Sequence, residues 1–324
     1  MNVWIQISPF RRPRGKQRIV LIREQICRHR SAHTFKTPQI PPLLMKRCRT
    51  ACACTIAGSD PTGGAGIQAD LSTFAAMRVW GLSVITALTA QTPGRVSNTW
   101  VQPAGVVAAQ LRDLLEEFPI GAFKTGMLGD GSVITTIADL LPKGAPLVVD
   151  PVLVSSSGHR LLAEDAIELL KERLIPLAAV VTPNLPETEV LSGIGPLCSD
   201  DEVIRAGHVL LDLGAAAVIV KGGHRKGAEA TDLLITAGSV TPLSSIRHPY
   251  PVHGTGCCFS AALAALLARG YPLAGAAQGA KSLISRAVST EPVGRSGMRM
   301  VDPLQISMSD TVPLDLDLLD VKEA

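Results

Sequence analysis

The sequence predicts an α/β protein, a three-layer α/β/α fold around a mostly parallel central sheet, over residues 45–303. Three observations predict it. Short uncharged runs of Val, Ile, Leu and Ala alternate with segments of helical period, the pattern of βαβ units whose sheet is covered on both faces. The stretch of about 260 residues suits one domain. The ends of the first six predicted strands carry polar or glycine-rich residues, and ligands of open α/β sheets gather at those ends.

The elements follow in order. CTIAGSD reads as a strand ending in a glycine turn, and IQADLSTFAAMRVW as a helix with Ile67, Leu71, Phe74 and Ala75 on one face. SVITALTAQ is an uncharged strand and PAGVVAAQLRDLLEEF an amphipathic helix. AFKTGML is a short strand and turn, DGSVITTIADLLP a helix, and PLVVDPV a buried strand. EDAIELLKERLIPLA reads as a helix and AVVTPN as a strand. SDDEVIRAGHVLLDLG is a helix capped by Ser199 or Asp200 and closed by Gly214. AAVIVKGG and TDLLIT are strands, and CFSAALAALLARG is a helix. No internal repeat is visible.

Charge is distributed unevenly. Residues 1–50 hold 12 Lys/Arg and one acid, Glu24, leaving 19 basic against 27 acidic residues in the remainder. The patterned domain is therefore acidic, and the pattern argues against nucleic acid as a partner. No run of 18 or more uncharged apolar residues occurs, so no membrane span is expected. Residues 1–44 are Arg-rich, Pro-scattered and aperiodic. They fit either a targeting segment or an extension outside the working protein, and sparse serine favours the second, with Met45 as a natural start. The acidic tail, residues 304–324, is disordered or a docking helix.

Seven cysteines make an odd set with no disulfide framework, which points to a reducing cytoplasm. Cys48, Cys52 and Cys54 lack the C-x-x-C pair or histidine that would complete a metal site, so small residues entering a strand is the better reading.

Four stretches carry candidate chemistry. Gly64 to Ala69 fits G-x-G-x-x-A, but no acid lies between Asp70 and Asp113 to bind a ribose, so a dinucleotide site is rejected. The turn instead suits close backbone approach to a small ligand, with Asp70 facing it from the helix. Gly254, Thr255 and Gly256 precede a helix, and successive N–H groups with the helix's positive end make an anion hole. Cys257 in the first turn would have its pKa lowered by that field and accept a proton, whereas Cys258 reads as packing. In TPNLPE, Asn184 and Glu187 suit Mg²⁺ through water, and the same pair suits a helix N-cap. Asp150 reads as a strand-end acid near phosphate and metal, and Lys221 as a point charge for phosphate.

The motifs AGSDPTGGAGIQADL, VITALTAQ, KTGMLGD, TPNLPE, VKGGH and HGTGC, in this order, resemble the hydroxymethylpyrimidine/phosphomethylpyrimidine kinases of thiamine biosynthesis, in the ribokinase superfamily. The resemblance covers roughly residues 54–303 and implies ATP-dependent phosphorylation of the hydroxymethyl group and then of the monophosphate. It implies that Gly58, Ala65 and Asp70 border the pyrimidine, that Gln91 bonds the ring and that Met127 packs on it. It implies that Gly254–Gly256 form the anion hole, that Cys257 is the base where most ribokinase relatives carry aspartate, and that Asn184, Lys221 and Glu187 serve the nucleotide and Mg²⁺, on the side where Asp150 is read as a nucleotide-binding acid from its strand end. A homodimer is implied on the same ground. One departure stands out: the family's C-terminal G-x-G-H-G-P-V segment is VGRSGMRMV here, residues 293–301. The rivals are a pyridoxal/pyridoxine kinase, with the same fold and motif order, and a vitamin-precursor binding protein without catalysis.

Overall fold

A computed structural model describes residues 50–155, 157–222, 229–288, 295 and 297–305. The basic extension 1–44, His224 of VKGGH, most of 289–296 and the tail beyond Gln305 lie outside the described residues.

Nine strands form one sheet in the order β3-β2-β1-β4-β5-β6-β7-β8-β9. They are β1 (Cys52–Ser59), β2 (Trp80–Thr92), β3 (Arg95–Val101), β4 (Ile120–Thr125), β5 (Leu147–Val149), β6 (Val180–Val181), β7 (Val218–Val220), β8 (Glu229–Ile235) and β9 (Val240–Ile246). Strands β2, β1, β4, β5, β6 and β7 run parallel, while β3, β8 and β9 pair antiparallel at the two edges. A separate parallel pair joins β10 (Val252–His253) to β11 (Arg299–Met300).

Period-two alternation divides the core into two layers. On β1, Cys52, Cys54 and Ile56 join one cluster and Ala53 joins the other. The first layer is covered by α2 (Ala104–Glu117), α3 (Gly131–Leu140), α5 (Leu185–Ser192) and α6 (Asp200–Asp212), through residues such as Leu111, Ile134, Leu191 and Leu210. The second is covered by α1 (Gly66–Ala76), α7 (Thr255–Ala268) and α8 (Leu273–Arg286), through Phe74, Leu263 and Leu283. Every residue of α7 from Cys258 to Leu266 is buried, as a stretch apolar but for Ser260 demands.

The expected elements appear, with one change of kind. The helix predicted over 164–178 is a short α4 (Ala166–Leu169) that passes into a π turn and then a 3₁₀ turn, Ile175–Leu177. Pro176, which has no N–H to donate, sits where the regular ladder stops. The Ser199 cap is present as a reciprocal box with Glu202. Cys52 and Cys54 are buried in β1, as small residues entering a strand should be.

Candidate active site

One cavity of about 1090 Å³ opens along the carboxyl ends of the parallel strands. Gly58, Ala65, Gln91, Met127, Asp150, Asn184, Glu187, Lys221, Gly254, Thr255, Gly256 and Cys257 all line it. The topology thus gathers residues spread over two hundred positions. Asp70 is the exception among the residues singled out from the sequence.

At one end, Met127 follows β4 and its sulfur would meet a side chain on Gly58 at 3.0 Å, so this glycine makes room for the thioether. The Thr86 hydroxyl donates to the Met127 carbonyl at 2.6 Å, fixing that turn. The first glycine turn is organised by Asp60, which sequence reasoning passed over. Its carboxylate accepts from Thr62 N–H at 2.8 Å and Ala65 N–H at 2.9 Å, and lies 3.4 Å from His253 Nε2. Despite burial, the His253 and Thr62 hydrogen bonds hold this carboxyl down at about 2, and the Gln91 amide contributes. The signal was an aspartate two residues after a strand-end glycine, the habitual author of such turns.

The opposite wall carries a paired lysine. Lys221 follows β7, and its Nζ lies 2.8 Å from Asp150 Oδ1. Asp150 also accepts from Ser260 at 3.1 Å. Burial alone would raise this carboxyl, but Lys221 and then Lys124 hold it below its usual range. A Cβ on Gly256 would sit 3.2 Å from Lys221 Nζ, so the absent side chain lets the cation lie against the turn. Gly254 caps α7 at φ +85°, and a Cβ there would overlap the Gly64 carbonyl. Glycine is required on both counts.

Asn184 and Glu187 form a reciprocal capping box at the start of α5, with each bond 2.8 Å. Burial pushes Glu187 up to about 7, against the pull of Lys221 and with Asp150 adding to the rise. Among the described residues no three His, Cys, Asp or Glu side chains cluster as a ready metal cage.

Two expectations need correction. Asp70 does not face the cavity. It is fully buried, accepting from Thr55 Oγ1 at 2.6 Å and from Lys124 Nζ at 2.8 Å. The α1 face that carries Asp70 turns toward the sheet, together with Ile67, Thr73 and Phe74. Nor does the helix start lower the Cys257 thiol. Burial pushes it up to about 11, with Lys124 pulling the other way and Asp70 and Asp150 raising it further. Desolvation outweighs the helix field here. Lys124 itself lines the cavity and was missed, although a lysine inside an otherwise apolar strand was a legible signal.

A sheet of this topology, with a helix start, cations and a thiol meeting where its strands end, defines a class: a small-molecule kinase of ribokinase-like architecture. Comparison with known proteins agrees. The family model for phosphomethylpyrimidine kinase matches residues 60–302. The hydroxymethylpyrimidine/phosphomethylpyrimidine kinase of Rhizobium meliloti is 46% identical over 242 residues, 74% of this chain and 91% of that protein. The phosphomethylpyrimidine kinase structure from Clostridium difficile is 40% identical with a TM-score of 0.65, covering 74% of this chain and 99% of that one. The pyridoxal kinase of Staphylococcus aureus in complex with ADP is 32% identical with a TM-score of 0.74, covering 81% and 96%. The chain belongs to the phosphomethylpyrimidine kinase family, and it is a phosphotransferase rather than a binding protein without catalysis.

Proposed function

We propose that this protein transfers the γ-phosphoryl group of ATP to 4-amino-5-hydroxymethyl-2-methylpyrimidine and then to its monophosphate, in thiamine biosynthesis. One observation carries the reading: a single cavity holds Gly58, Gln91 and Met127 together with the Gly254–Cys257 turn and Lys221. The first group suits a small aromatic acceptor, and the second suits a polyphosphate. Phosphoryl transfer is mostly positioning and charge stabilisation, so amides and a cation are the parts it needs.

In this reading Gln91 hydrogen-bonds the pyrimidine, Met127 packs on its face, and Ala65 borders it beside the Asp60-ordered turn. The N–H groups of the Gly254–Gly256 turn and Lys221 hold the transferred phosphoryl oxygens. Cys257 takes the proton of the hydroxymethyl oxygen as that oxygen bonds to phosphorus and the bond to the departing ADP breaks. Asp150 holds Lys221 in place.

Mg²⁺ fits the nucleotide side. Burial outweighs the pull of Lys221 and pushes the Glu187 carboxyl up to about 7, and a hydrated divalent cation would add positive charge beside it. Glu187, with Asn184 beside it, would hold that ion, which when bound neutralises phosphate charge. Five free cysteines among the described residues suit a reducing compartment, the cytoplasm. No helix among the described residues is long and apolar enough to cross a membrane. The reading extends to a homodimer: Leu88 and Trp100 face each other across β2 and β3 and are 45% and 54% exposed. Trp100→Glu should then lower the sedimentation coefficient to that of one chain, and an unchanged value places any dimer contact elsewhere.

The likeness to the Staphylococcus aureus pyridoxal kinase supports a second acceptor, pyridoxal or pyridoxine. Steady-state kinetics with each acceptor decide. A kcat/KM for the pyrimidine at least an order of magnitude above that for pyridoxine supports the first reading, and the reverse ratio replaces it.

A further inference from the structure

The pair Asp70–Lys124 lies at the base of the site with both side chains at 0% exposure. Its contribution to folding is a poor explanation for it. A buried ion pair is often matched or exceeded in stability by apolar side chains of the same volume. This one carries a further cost, because Asp70 Oδ1 is buried without a hydrogen-bond partner among the described residues. Thr55 and Lys124 both bond the other oxygen, so the carboxylate is aimed at the lysine.

Position offers a better explanation. Lys124, on β4, lines the same cavity as Cys257. The helix that carries Cys257 packs directly on β4 and on α1, which carries Asp70. The charged and titratable groups around the thiol come from every side: Lys124 from β4, Asp70 from α1, Asp150 after β5, Lys221 after β7, and Cys258 beside it on α7. Lys124 is the strongest of these in favour of the thiolate, and Asp70 opposes it. Burial alone would depress the Lys124 ammonium, but the negative charges around it, Asp70 first and then Cys257 and Asp150, together more than offset this.

We propose that Lys124 is a positioning residue for the transfer, its buried ammonium stabilising negative charge on the Cys257 sulfur, and that Asp70 and Thr55 hold that ammonium in place. The proposal rests on the reading of Cys257 as proton acceptor and adds the residue that acts through it.

The test is the rate of Cys257 alkylation by iodoacetamide in the full chain, followed by peptide mass spectrometry so that each cysteine is scored separately. The rate is read from pH 7 to 9, where it is proportional to the thiolate fraction. Lys124→Met alone would strand a buried carboxylate, so the variants are Asp70→Asn and Asp70→Asn/Lys124→Met. Asp70→Asn keeps the shape and removes the opposing charge, and the rate should rise about tenfold. The double variant also removes the favourable charge, and the rate should fall about tenfold below that of the parent. The kcat–pH profile should shift in the same two directions. A merely structural role would loosen the site in both variants and speed alkylation in both. Equal rates, or shifts of the same sign, overturn the proposal. If the double variant does not fold, Asp70→Asn carries the test: a faster rate with an unshifted melting curve supports the proposal, and an unchanged or slower rate overturns it. If Cys257→Ala keeps full turnover while the alkylation rates move in opposite directions, the base reading fails and the electrostatic role of Lys124 stands.

Discussion

At the scale of single residues, the account turns on Cys257. Its thiol sits at about 11, so at pH 8 roughly one molecule in a thousand carries the thiolate. If turnover is carried by that form, kcat rises about tenfold per pH unit between pH 7 and 9, because the base appears as pH climbs toward the thiol's own value. A flat profile would mean that the proton leaves by another route. Cys257→Ala should lower turnover roughly 10²- to 10⁴-fold while nucleotide binding, followed by calorimetry, is retained. Gln91→Ala should raise the pyrimidine KM far more than the ATP KM, and an unchanged pyrimidine KM would place the ring elsewhere. Most of these residues were legible because each stands at a strand end beside glycine or proline, where burial alone explains little. Asp70 was misread because sequence gives its place on α1 but not the rotation of that helix against β1 and β4. Lys124 was missed because its partner is 54 positions away in the chain.

At the scale of elements, the turn leading into α7 is the least replaceable. Gly254→Ala meets both a left-handed backbone and the Gly64 carbonyl, so the turn has to move. A displacement of that kind should cost on the order of 10²-fold in turnover, measured against a folded control by circular dichroism. Ser199 offers the opposite case, a cap remote from the cavity. Ser199→Ala should cost about 1 kcal/mol in denaturant unfolding and leave kcat unchanged. The parallel strands and the apolar or capped helices were readable from period and punctuation. Four kinds of element were not. The edge strand β3, RVSNTWV, is mostly exposed, so it has no apolar run to announce it. Strand β9, VTPLSSI, buries only Leu243 fully. Helix α8 buries Ala276, Ala277, Gly279 and Ala280 with only Leu283 and Ile284 as large apolar residues, so small residues fill most of its packing face. The pair β10–β11 is two residues long and joins stretches far apart in the chain, Val252–His253 and Arg299–Met300.

At the scale of the whole molecule, the described end of the altered C-terminal segment, residues 297–301, takes a defined place. Arg299 and Met300 pair with Val252 and His253, and Arg299 stacks over Tyr250 at 4.1 Å. A side chain on Gly64 would meet Met300 Sδ at 3.0 Å, so this strand touches the first glycine turn from outside. These described residues of the altered segment therefore lie beside the first glycine turn. A second buried pair, Lys281 Nζ to Asp232 Oδ2 at 2.7 Å, ties α8 to β8. Lys281→Ala would leave Asp232 buried and uncompensated, and should destabilise the fold by about 3–5 kcal/mol in urea titration. A loss near zero would show that the carboxylate finds another partner. The central claim concerns the molecule entire: one cavity performs two successive transfers. The most direct measurement is a mass-spectrometric time course of the full chain with Mg-ATP and hydroxymethylpyrimidine. The account predicts a monophosphate that rises and then falls as the diphosphate replaces it. A monophosphate that accumulates without further conversion, or no phosphorylated pyrimidine at all, would contradict it.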